Sequence, residues 1–273
     1  MMAMETTGHH AAAGGNALAE IIPFLLLAAA LTIYLFAVAR QRHHENRWSR
    51  WRTISFIVGL SLLAVAMTPS LMQYAHYDLR GHMIQHLLIG MLAPLGLVLA
   101  APLTLLLRTL PVQGARTVTA VLRSKPFHWL SHPGTALVLN IGGMYLLYLT
   151  PLYNLTLTSS FVHYLVHLHF LLAGYLFTWS IVGPDPAPHR PGMRTRLVVL
   201  FMSIAAHAFL SKFMYAYSWP RHTPHDLEQI REAAQLMYYG GDFAELLLVV
   251  VLFANWYRTG NRRTYTLQSQ VQR

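Results

Sequence analysis

The sequence predicts an all-α, polytopic membrane bundle of seven transmembrane helices, and three observations carry that prediction. Of the 273 residues, 55% are apolar and only 11% are charged, against roughly 25% charged in an ordinary soluble domain. Seven windows reach the length of about 20 apolar residues that crosses a bilayer: Leu18–Ala39, Thr53–Met72, Leu79–Leu107, Leu130–Leu149, Phe161–Val182, Leu197–Tyr217 and Ala234–Tyr257. The basic residues, 18 Arg and 2 Lys, gather on alternate connections between those windows. Cysteine is absent, which excludes disulfide frameworks, thiolate metal sites, iron–sulfur clusters and cysteine nucleophiles together.

Residues 1–17 are rich in Gly, Ala and His and lack the basic flank of a signal peptide, so a disordered tail is expected there. The first window is too long for a signal segment and is not followed by small-residue cleavage chemistry; it is read as a retained span. The third window exceeds the required length, so its first turns around Arg80 are expected outside the hydrocarbon. Pro94, Gly96 and Pro102 interrupt it and predict a bend or an unwound turn. Gly183-Pro-Asp-Pro-Ala-Pro is a stiff connection between the fifth and sixth windows. The connection Ser218–Ala233 is polar, carries His222, His225, Asp226, Glu228 and Glu232, and is expected to cap whatever lies beneath it. The transmembrane domain is thus residues 18–257, followed by a basic tail over residues 258–273.

Orientation follows from charge. The connections after the first, third and fifth windows, with the C-terminal tail, hold sixteen Arg and Lys; the opposite side holds three, Arg80, Arg221 and Arg231. That asymmetry predicts an external N-terminus and a cytoplasmic C-terminus. It also accounts for the formal net charge of +10, so no nucleic acid partner is needed and the bilayer itself is the expected surroundings.

Sixteen His and 12 Met are the borderline and soft ligands that a cysteine-free chain offers to copper. His82 and His86 lie at i, i+4 on the third span, and His163 and His167 repeat that spacing on the fifth. Such pairs share one helical face, and both spans enter from the external side, so the two pairs are expected to converge at one depth. A single His in a span is ordinarily a packing residue, but two level pairs are costly in lipid without a task. They would offer imidazole to Cu(I) or Cu(II), or axial ligands to haem iron. His207 on the sixth span is a further contributor; His169 is a candidate auxiliary ligand with Met72, although its angular position is expected to turn it toward another neighbour.

Asp242 and Glu245 stand behind Gly240 and Gly241 on the seventh span. With His207 and Lys212 they are expected to form ion pairs or a polar relay, Asp242 orienting a ligand His. Met72 is the better auxiliary copper ligand, since Met83 points away from the face shared by His82 and His86. Phosphate-loop, Gly-x-Ser-x-Gly and His-Glu-x-x-His motifs are absent, and no catalytic residue is predicted.

Several stretches carry a family resemblance. Gly81-His-Met-Ile-Gln-His-Leu-Leu-Ile, Ala93-Pro and Ala101-Pro-Leu-Thr-Leu-Leu-Leu-Arg108 resemble the third span of the membrane CtaG-like cytochrome c oxidase assembly family, the bacterial kind associated with caa-type oxidases. The likeness continues through His132-Pro, Tyr148-Leu-Thr-Pro-Leu-Tyr153, the segment from His163 to Gly174, Gly183-Pro-Asp-Pro, His207-Ala-Phe-Leu, Gly240-Gly-Asp and Trp256-Tyr-Arg. The resemblance implies a non-enzymatic metal chaperone in respiratory-chain biogenesis, delivering copper to a haem–copper oxidase subunit, with a soluble extracytoplasmic copper chaperone as a further partner. The alternatives from the residues are a bis-His haem protein in quinone-linked electron transfer, a copper permease, or a scaffold for oxidase subunits. The cytoplasmic halves of the third and fifth spans lack His, which counts against the permease.

Overall fold

In lipid a backbone can satisfy its polar groups only internally, and the apolar windows accordingly fold as helices. A computed structural model describes residues 7–41, 48–187 and 190–271, with side chains described from residue 21 to residue 258 within those ranges. Helices are the only regular elements among the described residues, which contain no strand. Thirteen α-helices and one π-helix follow in order: α1 Thr7–Arg40, α2 Arg50–Ala66, α3 Pro69–Tyr77, α4 Leu79–Leu87, the π-helix Leu88–Leu92, α5 Ala93–Leu99, α6 Pro102–Thr109, α7 Val112–Leu122, α8 Lys125–Leu130, α9 Pro133–Tyr148, α10 Leu152–Thr158, α11 Ser160–Val182, α12 Met193–Tyr217 and α13 Leu227–Val271. Of the expected tail over residues 1–17, residues 7–17 belong to α1 and residues 1–6 lie outside the described residues, as do the side chains of the basic tail beyond residue 258.

Five stretches are each long and apolar enough to cross a membrane alone: Ile21–Arg40, Leu79–Leu99, Ser160–Val182, Met193–Tyr217 and Leu227–Arg258. Two further crossings require a bent pair to count as one span, which gives up to seven. The second window breaks at Thr68-Pro69, where α2 and α3 meet at 54°, and just past the end of the fourth, at Thr150-Pro151, α9 and α10 meet at 74°. Proline steers the residue before it out of helical geometry, and Thr68 is extended, with ψ 141°. The third span is shorter than its sequence window. It ends at Leu99, because Ala101 is left-handed (φ 51°) and Pro102 begins a separate helix.

The predicted interruption near Pro94 takes the form of the π-helix. Proline has no N–H to give the carbonyl four residues earlier, so the Gly90 carbonyl is released. It turns onto α11 at Gly174, where a Cβ would land on the Gly90 oxygen. Only glycine permits that approach, which seats α11 against the middle of the third span. α13 packs on both α4 and α12, and α9 packs on α11 and α12. In Ile21–Arg40 the buried share is 6%, against 56% for Leu79–Leu99 and 61% for Ser160–Val182. The His-bearing helices are therefore central, and α1 is peripheral.

Carbonyls exposed at the breaks are met by side chains. Tyr34 Oη donates to the Ala100 carbonyl at 3.1 Å and Ser55 Oγ to that of Gly96 at 2.7 Å. The Gly183-Pro-Asp-Pro connection has a structural task. Asp185, 2% exposed, accepts from the Thr104 backbone N–H at 2.7 Å and its hydroxyl at 2.5 Å, capping α6 from a distant part of the chain. Replacing an N-capping acid by alanine costs about 0.5–2 kcal/mol. Asp185→Ala is therefore expected to lower the midpoint of unfolding in detergent micelles by a matching amount, and Thr104→Val, which removes only the hydroxyl, by less. A midpoint unchanged in Asp185→Ala would show that this cap does not stabilise the fold.

Candidate metal centre

The two His pairs are set by capped helix starts at one end of the bundle. The Asp78 side chain accepts from the Arg80 backbone N–H at 2.9 Å and opens α4; the Ser159 hydroxyl accepts from that of Val162 at 3.5 Å and opens α11. Arg80 ties the first turn of α4 to α13 by pairing with both Asp78, at 2.5 Å, and Glu232, at 2.6 Å. The Arg80 hydrogen bond holds the Asp78 carboxyl below its ordinary range.

The pairs converge as the spacing predicts. His167 packs nearly parallel to His82, ring centres 6.2 Å apart and planes at 24°, and edge-on to His163 at 4.2 Å. His86 sits one turn further in, edge-on to Phe170 at 4.7 Å. His82 and His86 are each 3% exposed and His167 is 7% exposed. The Nε2 atoms of His82, His163 and His167 and both ring nitrogens of His86 are buried without a hydrogen-bond partner. A buried donor or acceptor left unsatisfied costs about 1–3 kcal/mol, so five such atoms kept together mark the place in the bundle where polar partners are most needed.

Tyrosines and a loop close the cluster toward its helix starts. Tyr153 and Tyr148 meet His82 edge-on at 5.1 and 6.1 Å. His225, from the connection expected to act as a cap, is buried over Tyr153 with its Nε2 2.8 Å from the hydroxyl. Burial pushes its imidazole below the ordinary histidine value. To the side the cluster is open: a groove of about 580 Å³ runs between α3 and α11, lined by Met67, Met72, His76, His163, Tyr164 and His167. Imidazole and thioether suit copper. As they stand, no three His, Asp or Glu side chains among the described residues are close enough to hold an ion.

The remaining predicted residues divide. His207, fully buried, lies with Glu245 rather than with His163, its Nδ1 3.9 Å from Oε2. Glycine at 241 makes this possible, since a Cβ there would strike the His207 ring. The expected relay through Lys212 does not form. Lys212 is exposed, its ammonium 5.1 Å from the centre of the Tyr238 ring, and none of the ion pairs among the described residues includes Lys212 or Asp242. A four-carbon stem reaches an aromatic face and water more cheaply than a buried acid. His169 faces α9 as expected, its Nε2 3.1 Å from the Leu139 carbonyl oxygen. Met72 lines the groove, but its sulfur accepts from Gln85 Nε2 at 3.0 Å. Met83 points elsewhere, as predicted, with the Tyr148 hydroxyl 3.6 Å from its sulfur.

Sequence reasoning missed Tyr148, Tyr153, Gln85 and Asn140. All but Asn140 fall in stretches that carry the family resemblance, but no spacing rule marks a tyrosine as the wall of a site. Overpacking costs about 1–3 kcal/mol, so Gly241→Ala, whose methyl meets a ring held inside the bundle, should lower the unfolding midpoint markedly. Gly240→Ala, whose methyl meets only the end of the Leu87 side chain, should lower it less. Equal losses would show that His207 is free to move.

No solved structure matches the chain. Uncharacterized proteins of Mycobacterium bovis and Mycobacterium tuberculosis are each 36% identical over 183 residues, 64% of this chain and 28% of the relative. One from Mycobacterium leprae is 28% identical over 248 residues, 84% of this chain and 38% of the relative. The chain thus spans well under half the length of these relatives. Residues 32–259, from the middle of α1 into the last turns of α13, match the cytochrome c oxidase caa3 assembly factor family, and the chain belongs to that family.

Proposed function

We propose that the chain handles Cu(I) for a haem–copper oxidase: it takes the ion at the external face of a bacterial inner membrane and passes it to an oxidase subunit, without catalytic turnover. One observation carries this reading. Buried, unpartnered imidazole nitrogens of His163 and His167 line a groove that also holds Met67, Met72 and His76, and His82 of the neighbouring helix packs behind His167. Neutral nitrogen and thioether ligands match a soft monovalent ion, whose single charge is the least costly to desolvate. His82, His163 and His167 turn about their side-chain torsions onto the ion, with His86 below them. The sideways groove gives an external copper chaperone or an oxidase subunit a path for ligand exchange.

The reading takes each bent pair as one crossing, for seven spans, and the Arg-rich connections as cytoplasmic. A cytoplasm-active reporter fused after Arg273 should work, and a periplasm-active one at the same place should not; the opposite pattern overturns the external site. Copper stoichiometry of the purified chain tests the ligands. His82→Ala with His86→Ala, and separately His163→Ala with His167→Ala, should each remove nearly all Cu(I), because one pair leaves a two-coordinate ion and an open site. Full copper content in either variant, or a haem Soret band in the purified chain, would sink the shared site.

A further inference from the structure

We propose a second, inner cation site made by His86, His207 and Glu245, which takes a divalent first-row metal ion on two imidazole nitrogens and a carboxylate. It shares His86 with the outer cluster and rests otherwise on residues the Cu(I) reading does not use. The three residues come from α4, α12 and α13 and are 3%, 0% and 3% exposed. Both ring nitrogens of His86, both of His207 and both carboxylate oxygens of Glu245 are buried without a hydrogen-bond partner. Beside His86 and Glu245 lies a cavity of about 20 Å³, walled by Asn140, Thr178 and Ser203, room for one small ion or one water.

The 3.9 Å between His207 Nδ1 and Glu245 Oε2 is too long for a hydrogen bond. Two ligands of one tetrahedral ion, each bonded at about 2.0–2.1 Å, stand about 3.3 Å apart, so a small turn of either side chain brings both onto a shared ion. The three side chains do not stand at ligand distance together, and His86, which lines the same cavity as Glu245, must turn onto the ion with them. Gly241 holds His207 in that position, since a Cβ there would strike its ring. Charge separates this site from the outer one. Glu245 offsets half the charge of a dication, which a bare imidazole set does not, and a buried charge is tolerated only where it is paired. Asn140, Thr178 and Ser203 supply neutral oxygen or amide groups for the remaining positions, a donor set that suits Co(II), Zn(II) or Cu(II) better than Cu(I).

The test is anaerobic titration of the purified full chain in detergent with Co(II), followed by its visible absorption, with X-ray absorption reading the ligands. The chain should bind one Co(II) with imidazole scattering in its first shell. Glu245→Gln, which keeps the size of the side chain, and His207→Gln should each weaken binding at least tenfold. His163→Ala with His167→Ala should leave Co(II) affinity within about twofold, whatever happens to Cu(I). Should a glutamine variant fail to fold, Glu245→Asp, which keeps the charge but shortens the reach, should bind Co(II) more weakly with an altered absorption band. The proposal is overturned by an absent band in the unaltered chain, by a shell lacking imidazole, by unchanged binding in Glu245→Gln, or by loss of Co(II) in the His163 and His167 variant alone.

Discussion

A polar atom withdrawn from water must find a partner, and in a bundle this apolar that requirement governs the centre of the molecule. The backbone meets it by folding into helices, and at the breaks side chains do the work: Tyr34 on the Ala100 carbonyl, Ser55 on Gly96, Asp185 on the start of α6. Single atoms of Gln85, Asp185, Arg190 and Arg196 are left without a partner elsewhere, but the largest group of such atoms belongs to His82, His86, His163, His167, His207 and Glu245, on α4, α11, α12 and α13. That concentration is what the proposed function rests on.

Glycine and proline place that group. Pro94 frees the Gly90 carbonyl, Gly174 lets it approach, and the contact fixes the distance between the third span and α11, hence between the two His pairs. Gly241 does the same for His207 against α13. The π-helix begins two residues after His86, the kind of irregular turn that helices keep at functional positions. Its cost in helix regularity is offset by close packing across three helices.

The spans and the His pairs were legible because both depend on short-range periodicity: apolar length gives a crossing, and i, i+4 gives one face. The two proline bends were not, since Thr53–Met72 reads as a single apolar run across its break, and Leu130–Leu149 stops just short of Thr150-Pro151 with nothing in it to mark the bent helix that follows. Nor was the division of the polar residues. Lys212, His207, Asp242 and Glu245 lie at similar depth in the sequence, and only helix rotation about the axis decides that His207 meets Glu245 while Lys212 turns to Tyr238 and the outside. Asp185 was read as part of a stiff loop, because a cap supplied from 81 residues away leaves no local signature.

The way into the cluster follows from what blocks it. Above His82 stand Tyr153 and Tyr148, and His225 closes over Tyr153 with a 2.8 Å contact to its hydroxyl, so an ion arriving along the helix axes meets aromatic rings. The groove between α3 and α11 is walled on the same level by Leu157, Leu168 and Leu171 as well as by His76, His163 and His167. Its polar groups lie along one line of approach, and its apolar groups are those expected against lipid or a transmembrane partner. The bend at Thr68-Pro69 creates this geometry, because a straight second span would continue past α3's position instead of swinging it 54° away. On the proposed reading of the chain as a copper carrier, such an opening lets the recipient's helix lie against the groove and offer ligands there, so that each bond to the donor is exchanged for one to the acceptor and the ion is at no stage bare in hydrocarbon.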